Sequence, residues 1–114
     1  MTFTAAHRYF FYREPADMRK GFDGLSGLVR SRLRRDPLSG DVFVFVNRRR
    51  THMKLLVWDR TGYALYYKRL EAGTFEIPAS GTLTWGELVL MIEGVSLASV
   101  RYRKRYRLGA QKAA

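Results

Sequence analysis

Five consecutive apolar residues, at positions 42–46, constrain the fold of this chain more than any other segment. Successive side chains of a strand point to opposite faces of its sheet, so a strand that is apolar throughout must be covered on both faces. A turn cluster, Asp36-Pro37-Leu38-Ser39-Gly40, comes directly before this run. The run therefore predicts a central, fully buried strand.

Further strands are predicted on either side of this run, from aromatic and β-branched segments at residues 9–12, 53–58, 63–68 and 74–77. The loop at 47–52 is a predicted hairpin connection, and we call its three consecutive arginines, Arg48, Arg49 and Arg50, the arginine tip. The loop at 59–62 ends in Gly62, as a type I turn with a bulge requires. We expect Phe43, Phe45, Trp58 and Trp85 to be core residues, since aromatics at such spacings are more often buried than exposed.

Two helices complete the predicted domain. Apolar residues spaced by three or four predict a helix from about residue 17, with Asp17 as its N-cap and with one face formed by Met18, Phe22, Leu25, Val29 and Leu33. Its opposite side carries Arg19, Asp23, Arg30 and Arg34. Glycines at 21, 24 and 27 indicate either a closely packed backbone or a helix that breaks near Gly27.

The second helix is marked by Thr84 and Glu87, which fit a capping box, and by Gly94, which ends the apolar stripe. The order of elements is one strand, one helix, three or four strands and one helix. We therefore predict an α+β fold, in which an antiparallel β-meander of about four to five strands is packed with two helices.

Positive charge is unevenly distributed along the 114 residues, which carry a net charge of +11. The net charges of the segments 1–35, 36–69, 70–100 and 101–114 are +5, +4, −4 and +6. We predict a single domain at 1–98 and a basic Arg/Tyr-rich tail at 99–114, with a disordered solubilising end as the alternative for that tail. An excess of this size favours an anionic partner.

Several functional classes lack their sequence signatures. With no cysteine, disulfides and thiolate metal sites are excluded. No P-loop and no acid-x-Lys nuclease pair occurs, and the two histidines, His7 and His52, lie far apart. We expect His52 to be a solvated loop residue. We therefore predict no enzymatic activity, no catalytic residue, no metal and no cofactor. The absence of a signal peptide and of a long apolar run predicts a cytoplasmic protein that does not contact membranes.

An ordered set of motifs resembles one known family. The set comprises residues 17–25, Asp36-Pro37-x-Ser39-Gly40, residues 43–45, Asn47 with the arginine tip, residues 54–59, Gly62, residues 68–75, Pro78 and residues 90–94. Across about residues 9–97 the chain resembles the small accessory protein of insertion sequence 66 transposons. That protein is of the TnpB type and is unrelated to the RNA-guided nucleases of the same label. The resemblance implies a protein that assists a separate transposase, and it carries over no catalytic residues.

Candidate DNA contacts follow from charge. Guanidinium groups neutralise phosphates and release counterions, so the arginine tip is the first candidate, with a solvated turn as its alternative. The first helix offers Arg19 and Lys20, although Arg19 could instead pair with Asp17 or Asp23. The basic tail offers Arg101, Arg103, Lys104, Arg105 and Arg107, with Tyr102 and Tyr106 available to stack on bases.

Three functional hypotheses result, of which the third, a small nuclease or other enzyme, ranks well behind because its signatures are absent. In the first, the chain binds transposon-end or nonspecific DNA through these basic groups and helps the transposase to assemble. In the second, it is a protein-interaction module that docks the transposase or a sister accessory protein. That docking would use a sheet edge or an acidic segment containing Glu71, Glu76, Glu87 and Glu93.

Overall fold

A five-stranded sheet with one helix on each face forms the domain. The computed structural model describes residues 3–94. Its elements are β1 (Tyr9–Phe11), α1 (Phe22–Ser31), β2 (Val42–Val46), β3 (His52–Asp59), β4 (Gly62–Arg69), β5 (Thr82–Leu83) and α2 (Trp85–Ile92). The strands lie in the order β4-β3-β2-β1-β5. Neither helix within the described range is long and apolar enough to cross a bilayer. The predicted α+β class, with its five strands and two helices, is confirmed.

Strand β2 is the centre of the sheet, as its sequence predicts, and all five of its residues are buried. It pairs antiparallel with β3, where Val44 lies opposite Leu55, and parallel with β1, where Phe43 lies opposite Phe10. The meander therefore comprises β2, β3 and β4, while β1 reaches its parallel position through the α1 crossover.

Side chains of β2 alternate between the two faces of the sheet and pack into two separate cores. Its valines pack on the α2 side with the buried residues Tyr9, Phe11, Met53, Leu55, Val57, Phe75, Leu83, Leu88 and Met91. Its phenylalanines pack on the α1 side with Phe10, Tyr12, Ala16, Leu25, Val29 and Leu56. The prediction that Phe43 and Phe45 are core residues is confirmed, whereas Trp58 and Trp85 are only half-buried.

Helix α1 starts later than predicted, at Phe22 rather than near Asp17. Residues 17–20 form a turn instead, in which the backbone N–H of Lys20 donates to the Asp17 carbonyl over 3.1 Å. The buried Lys54 side chain donates to the carbonyl oxygens of Met18 (2.7 Å) and Lys20 (2.8 Å), which a longer helix would have used for itself. Phe22 is consequently 47% exposed and is not part of the apolar face that the spacing predicts.

Of the charged side predicted for this helix, Asp23 and Arg30 lie on α1, whereas Arg19 precedes the helix, as Lys20 does, and Arg34 follows it. The helix does not break at Gly27 but continues to Ser31. Its first turn has no side-chain cap, so Asp17 is not the N-cap.

Two other predictions about local structure are wrong. Residues 74–77 form no strand. The N–H of Phe75 donates over 2.7 Å to the carbonyl of Arg50, which lies in the β2–β3 loop and not in a strand. The fifth strand is Thr82–Leu83, which pairs with β1. In the β3–β4 hairpin the left-handed residue is Arg60 (φ 57°) and not Gly62, so a two-residue connection replaces the predicted bulge.

The capping box that begins α2 is confirmed. The Thr84 hydroxyl accepts the N–H of Glu87 over 3.1 Å, and the Glu87 carboxylate accepts the N–H of Thr84 over 2.9 Å. Gly94 ends the helix with φ 73°.

We expect Thr84→Ala to lower the free energy of unfolding by about 1 kcal/mol, because it removes the acceptor for an otherwise unsatisfied backbone donor. The measurement is urea denaturation followed by circular dichroism. The matched control is Thr84→Ser, which keeps the hydroxyl and should leave the midpoint nearly unchanged. Equal losses for both substitutions would show that the cap does not contribute.

The Arg19 guanidinium holds the pKa of Asp17 at about 2, from an ordinary 3.8, mainly through side-chain hydrogen bonds and then through the Arg19 backbone N–H. A lowered carboxyl pKa gives stability that is present above the ordinary value and is lost as the pH falls from about 4 to about 2. We expect Arg19→Ala to raise the pKa of Asp17 towards its ordinary value, measured by NMR titration of the carboxyl carbon. Arg30→Ala is the control and should leave that pKa unchanged; an unchanged value in Arg19→Ala would contradict the pairing.

Candidate nucleic-acid interface

The side chain of Asn47, the residue directly before the arginine tip, holds the tip in place. The Asn47 amide oxygen accepts the backbone N–H groups of Thr51 (2.8 Å) and His52 (3.0 Å). The carbonyl of Asn47 accepts the N–H of Arg50 over 3.0 Å, and Arg50 adopts a left-handed conformation with φ 60°. An asparagine that bonds to its own turn in this way fixes the loop without help from the arginines, whose side chains stay exposed.

A second set of bonds ties the tip to the segment that follows β4. The carbonyl of Thr51 accepts the N–H of Leu70 over 2.8 Å, and the carbonyl of Arg50 accepts the N–H of Phe75. Phe75 is fully buried in the α2-side core. The tip is therefore attached to the core and does not extend freely into solvent.

Arg13 lies beside the arginine tip, a position that no local sequence pattern predicts. Arg13, Arg48 and Arg50 line one cavity of about 230 Å³, which we call the tip cavity; Glu14, Pro15 and Ile77 are among its other walls. Arg13 follows β1, and the parallel pairing of β1 with β2 puts the residues after both strands at the same end of the sheet. A pairing between distant segments leaves no local sequence signal, so Arg13 could not be found by periodicity.

A neighbouring cavity extends this basic surface. The middle cavity, of about 380 Å³, shares Phe11, Arg13 and Glu14 with the tip cavity. It adds Arg32 and Arg35, which follow α1. The two cavities thus place arginines from three separate loops along one side of the sheet.

Few of these arginines are neutralised. Within residues 3–94, Arg13 and the three arginines of the tip make no salt bridge. Arg32 lies 3.8 Å from Glu14, with both side chains mostly exposed, so solvent screens that pair strongly. Guanidinium groups without ion-pair partners around one cavity produce a positive potential that attracts an anion.

Arg19 and Lys20 lie apart from this surface, because they line neither cavity. Arg19 is bound to Asp17 over 2.8 Å, which is one of the local pairings that the sequence allowed. Lys20 is exposed and uses its carbonyl to hold Lys54. Their role in DNA contact stays a prediction. The tail residues Arg101, Arg103, Lys104, Arg105 and Arg107 lie outside the described residues.

Other titratable side chains make local contacts. His52 begins β3, is half-buried against Tyr67, and directs Nδ1 at the Thr51 hydroxyl over 2.8 Å, so it is not the solvated loop residue predicted. Glu87 caps α2, and Glu71 binds Arg69 over 2.7 Å. Among the described residues no group of three or more His, Cys, Asp or Glu side chains could hold a metal ion.

Comparison with known proteins gives a family. The family model described as IS66 Orf2 like protein matches residues 7–102, which takes in every element from β1 to α2. The chain is 37% identical over 92 residues to the uncharacterized protein y4jC of Sinorhizobium fredii (strain NBRC 101917 / NGR234), covering 77% of this chain and 79% of that protein.

A second protein of the same strain, the uncharacterized protein y4hO, is 39% identical over 64 residues, which is 56% of each chain. No solved structure matches. The family match confirms the resemblance carried by the ordered motifs and reaches Arg101 in the basic tail. This chain belongs to the family of IS66 Orf2-like proteins.

Proposed function

We propose that this chain is a non-catalytic, cytoplasmic accessory protein of IS66 transposition that binds DNA and assists a separate transposase. Family membership supports the link to the insertion sequence. The observation that supports DNA as the ligand is the convergence of Arg13, Arg48 and Arg50 on the tip cavity.

The electrostatics of the tip cavity favour a phosphate backbone. Arg13, Arg48 and Arg50 have no ion-pair partner in the described part of the chain, so bringing them together raises their mutual repulsion. A phosphate relieves that repulsion, and each contact also releases counterions from the DNA. A guanidinium presents a planar fork of donors that matches two phosphate oxygens at once.

The fixed loop reduces the cost of binding. The hydrogen bonds from Asn47 and the links to Leu70 and Phe75 already define the backbone of the tip. DNA binding then orders only arginine side chains, at about 0.5–1.5 kcal/mol each, rather than a whole loop.

The test is a fluorescence anisotropy titration of labelled transposon-end and scrambled duplexes over a range of salt concentrations. We expect affinity to fall steeply with salt for the native protein. In the double variant Arg48→Gln/Arg50→Gln the slope of log K against log salt should decrease by about 0.9 for each lost phosphate contact.

Arg60→Gln is the matched control. Arg60 is also an exposed arginine with a left-handed backbone in a β-hairpin, but its loop lies at the opposite end of β3. Its substitution should leave the slope unchanged. If the Arg60 and tip variants change the slope equally, the binding depends on net charge and not on the tip. If the native protein does not bind DNA at low salt, the proposed function is wrong.

Docking of a protein partner is a second candidate, favoured by strand β4. This eight-residue strand is at the edge of the sheet, and within residues 3–94 no strand pairs with its outer side. Tyr66 and Tyr67 on this strand are 37% and 53% exposed. An unpaired edge with exposed aromatics can accept a strand from another protein.

A pull-down of the element's transposase after nuclease treatment tests this second candidate. Direct docking predicts that capture survives removal of DNA and is unaffected by Arg48→Gln/Arg50→Gln. Loss of capture on nuclease treatment would show instead that DNA bridges the two proteins.

A further inference from the structure

The largest of the three cavities along β1 lies at the opposite end of that strand from the arginine tip. This edge cavity has a volume of about 630 Å³, within the range of about 300–1,000 Å³ that is typical of small-molecule sites. Its walls come from the segment before β1, from β1, β5, the start of α2 and the loop after α1, and include Arg8, Tyr9, Phe10, Arg35, Leu83 and Trp85.

The lining of the edge cavity combines aromatic surface with positive charge. Trp85 is half-buried and stacks on Tyr9, with ring centroids 5.9 Å apart. The Arg35 guanidinium lies 3.6 Å from the centre of the Phe10 ring, a cation–π contact that fixes its position. Among the described residues that line the cavity, none is acidic.

Arg8 is oriented by a carboxylate behind the cavity. Its Nε and one terminal nitrogen donate to the two oxygens of Asp41 over 3.0 and 2.9 Å. The Arg8 side chain nevertheless remains 68% exposed, whereas that of Asp41 is 11% exposed. Arg8 is thus held at the cavity with accessible donors left over, while Arg35 has no ion-pair partner in residues 3–94.

The three cavities are neighbours along β1, and we call them together the groove. The edge cavity shares Phe10, Arg35 and Thr82 with the middle cavity, which in turn shares Arg13 with the tip cavity. The combined lining contains one acid, Glu14, and six arginines: Arg8, Arg13, Arg32, Arg35, Arg48 and Arg50. The backbone from residue 8 to residue 13 spans roughly 16 Å if extended.

We propose that this groove binds single-stranded DNA, with an unpaired base against Trp85 in the edge cavity and the following phosphates along Arg35, Arg13 and the arginine tip. The inference rests on the proposed DNA-binding function and specifies the form of DNA that the site takes. Bases in a duplex are stacked on one another and present mainly their edges, so an unpaired base offers its face to an aromatic ring at a much lower cost. A concave, basic groove with aromatic walls is the usual form of a single-strand site.

The experiment uses the full-length Trp58→Phe variant, in which Trp85 is the single tryptophan. Oligothymidylate and a duplex of the same length are titrated at low salt, with both anisotropy and tryptophan emission recorded. We expect oligothymidylate to quench Trp85 and to bind at least about tenfold more tightly than the duplex, the size of effect that one stacked base can give.

Two substitutions locate the site. Arg35→Gln should weaken binding of the single strand by about tenfold, whereas Arg30→Gln, which removes an exposed arginine outside the groove, should leave that affinity nearly unchanged. Arg35 is exposed, so its substitution does not endanger the fold, and circular dichroism checks this.

The failure of this inference is distinguishable from failure of the proposed function. Duplex binding as tight as single-strand binding, with unchanged Trp85 emission, would overturn the single-strand site and leave DNA binding intact. Equal losses from Arg35→Gln and Arg30→Gln would overturn the location of the site. No binding of either DNA would reject both proposals.

Discussion

The parallel pairing of β1 with β2 is the constraint on which the rest of the structure depends. A parallel neighbour cannot be reached by a hairpin, so the chain must cross over, and α1 makes that crossover on one face of the sheet. The same pairing aligns the ends of the two strands. Arg13 therefore lies beside the arginine tip, while Arg8 lies beside Asp41 before β2. The register of β1 with β2 therefore sets the positions of Arg8 and Arg13 at the two ends of the groove.

The short length of β5 explains why the middle and tip cavities exist. Only Tyr9 and Phe10 of β1 are paired with β5, and a single further bond joins Phe11 to Gly81. A longer fifth strand would cover the outer side of the chain after β1, where Arg13 and Glu14 now line cavities. The middle and tip cavities thus lie where the edge strand is incomplete, and the loops that follow β1, α1 and β2 supply their arginines.

The positively charged side chains of the described residues fall into three groups. Some cations are structural: Lys54 holds the turn before α1, and Lys68 donates to the carbonyl of Ile92 at the end of α2 over 2.7 Å. Others, such as Arg69 with Glu71, are balanced by exposed neighbouring carboxylates that contribute little to stability. Around the groove, Arg13, Arg35, Arg48 and Arg50 remain without ion pairs in the described residues, whereas Arg8 pairs with Asp41 and Arg32 lies near Glu14. Net charge alone does not distinguish these groups of cations, because they differ in the hydrogen-bond and ion-pair partners that the fold places beside them.

The sequence by itself determined the central strand β2, the capped helix α2, the two hairpins and the family, since each depends on residues that are close together in the chain or on an ordered set of motifs. It placed the arginine tip correctly at a hairpin end. It misplaced the start of α1 because periodicity cannot show that Lys54, far along the chain, takes the carbonyls of the preceding turn. Only the tertiary structure brought Arg13 and Arg35 into one groove with the tip, because their proximity arises from strand pairing and a crossover, which are contacts between distant segments that no local pattern records.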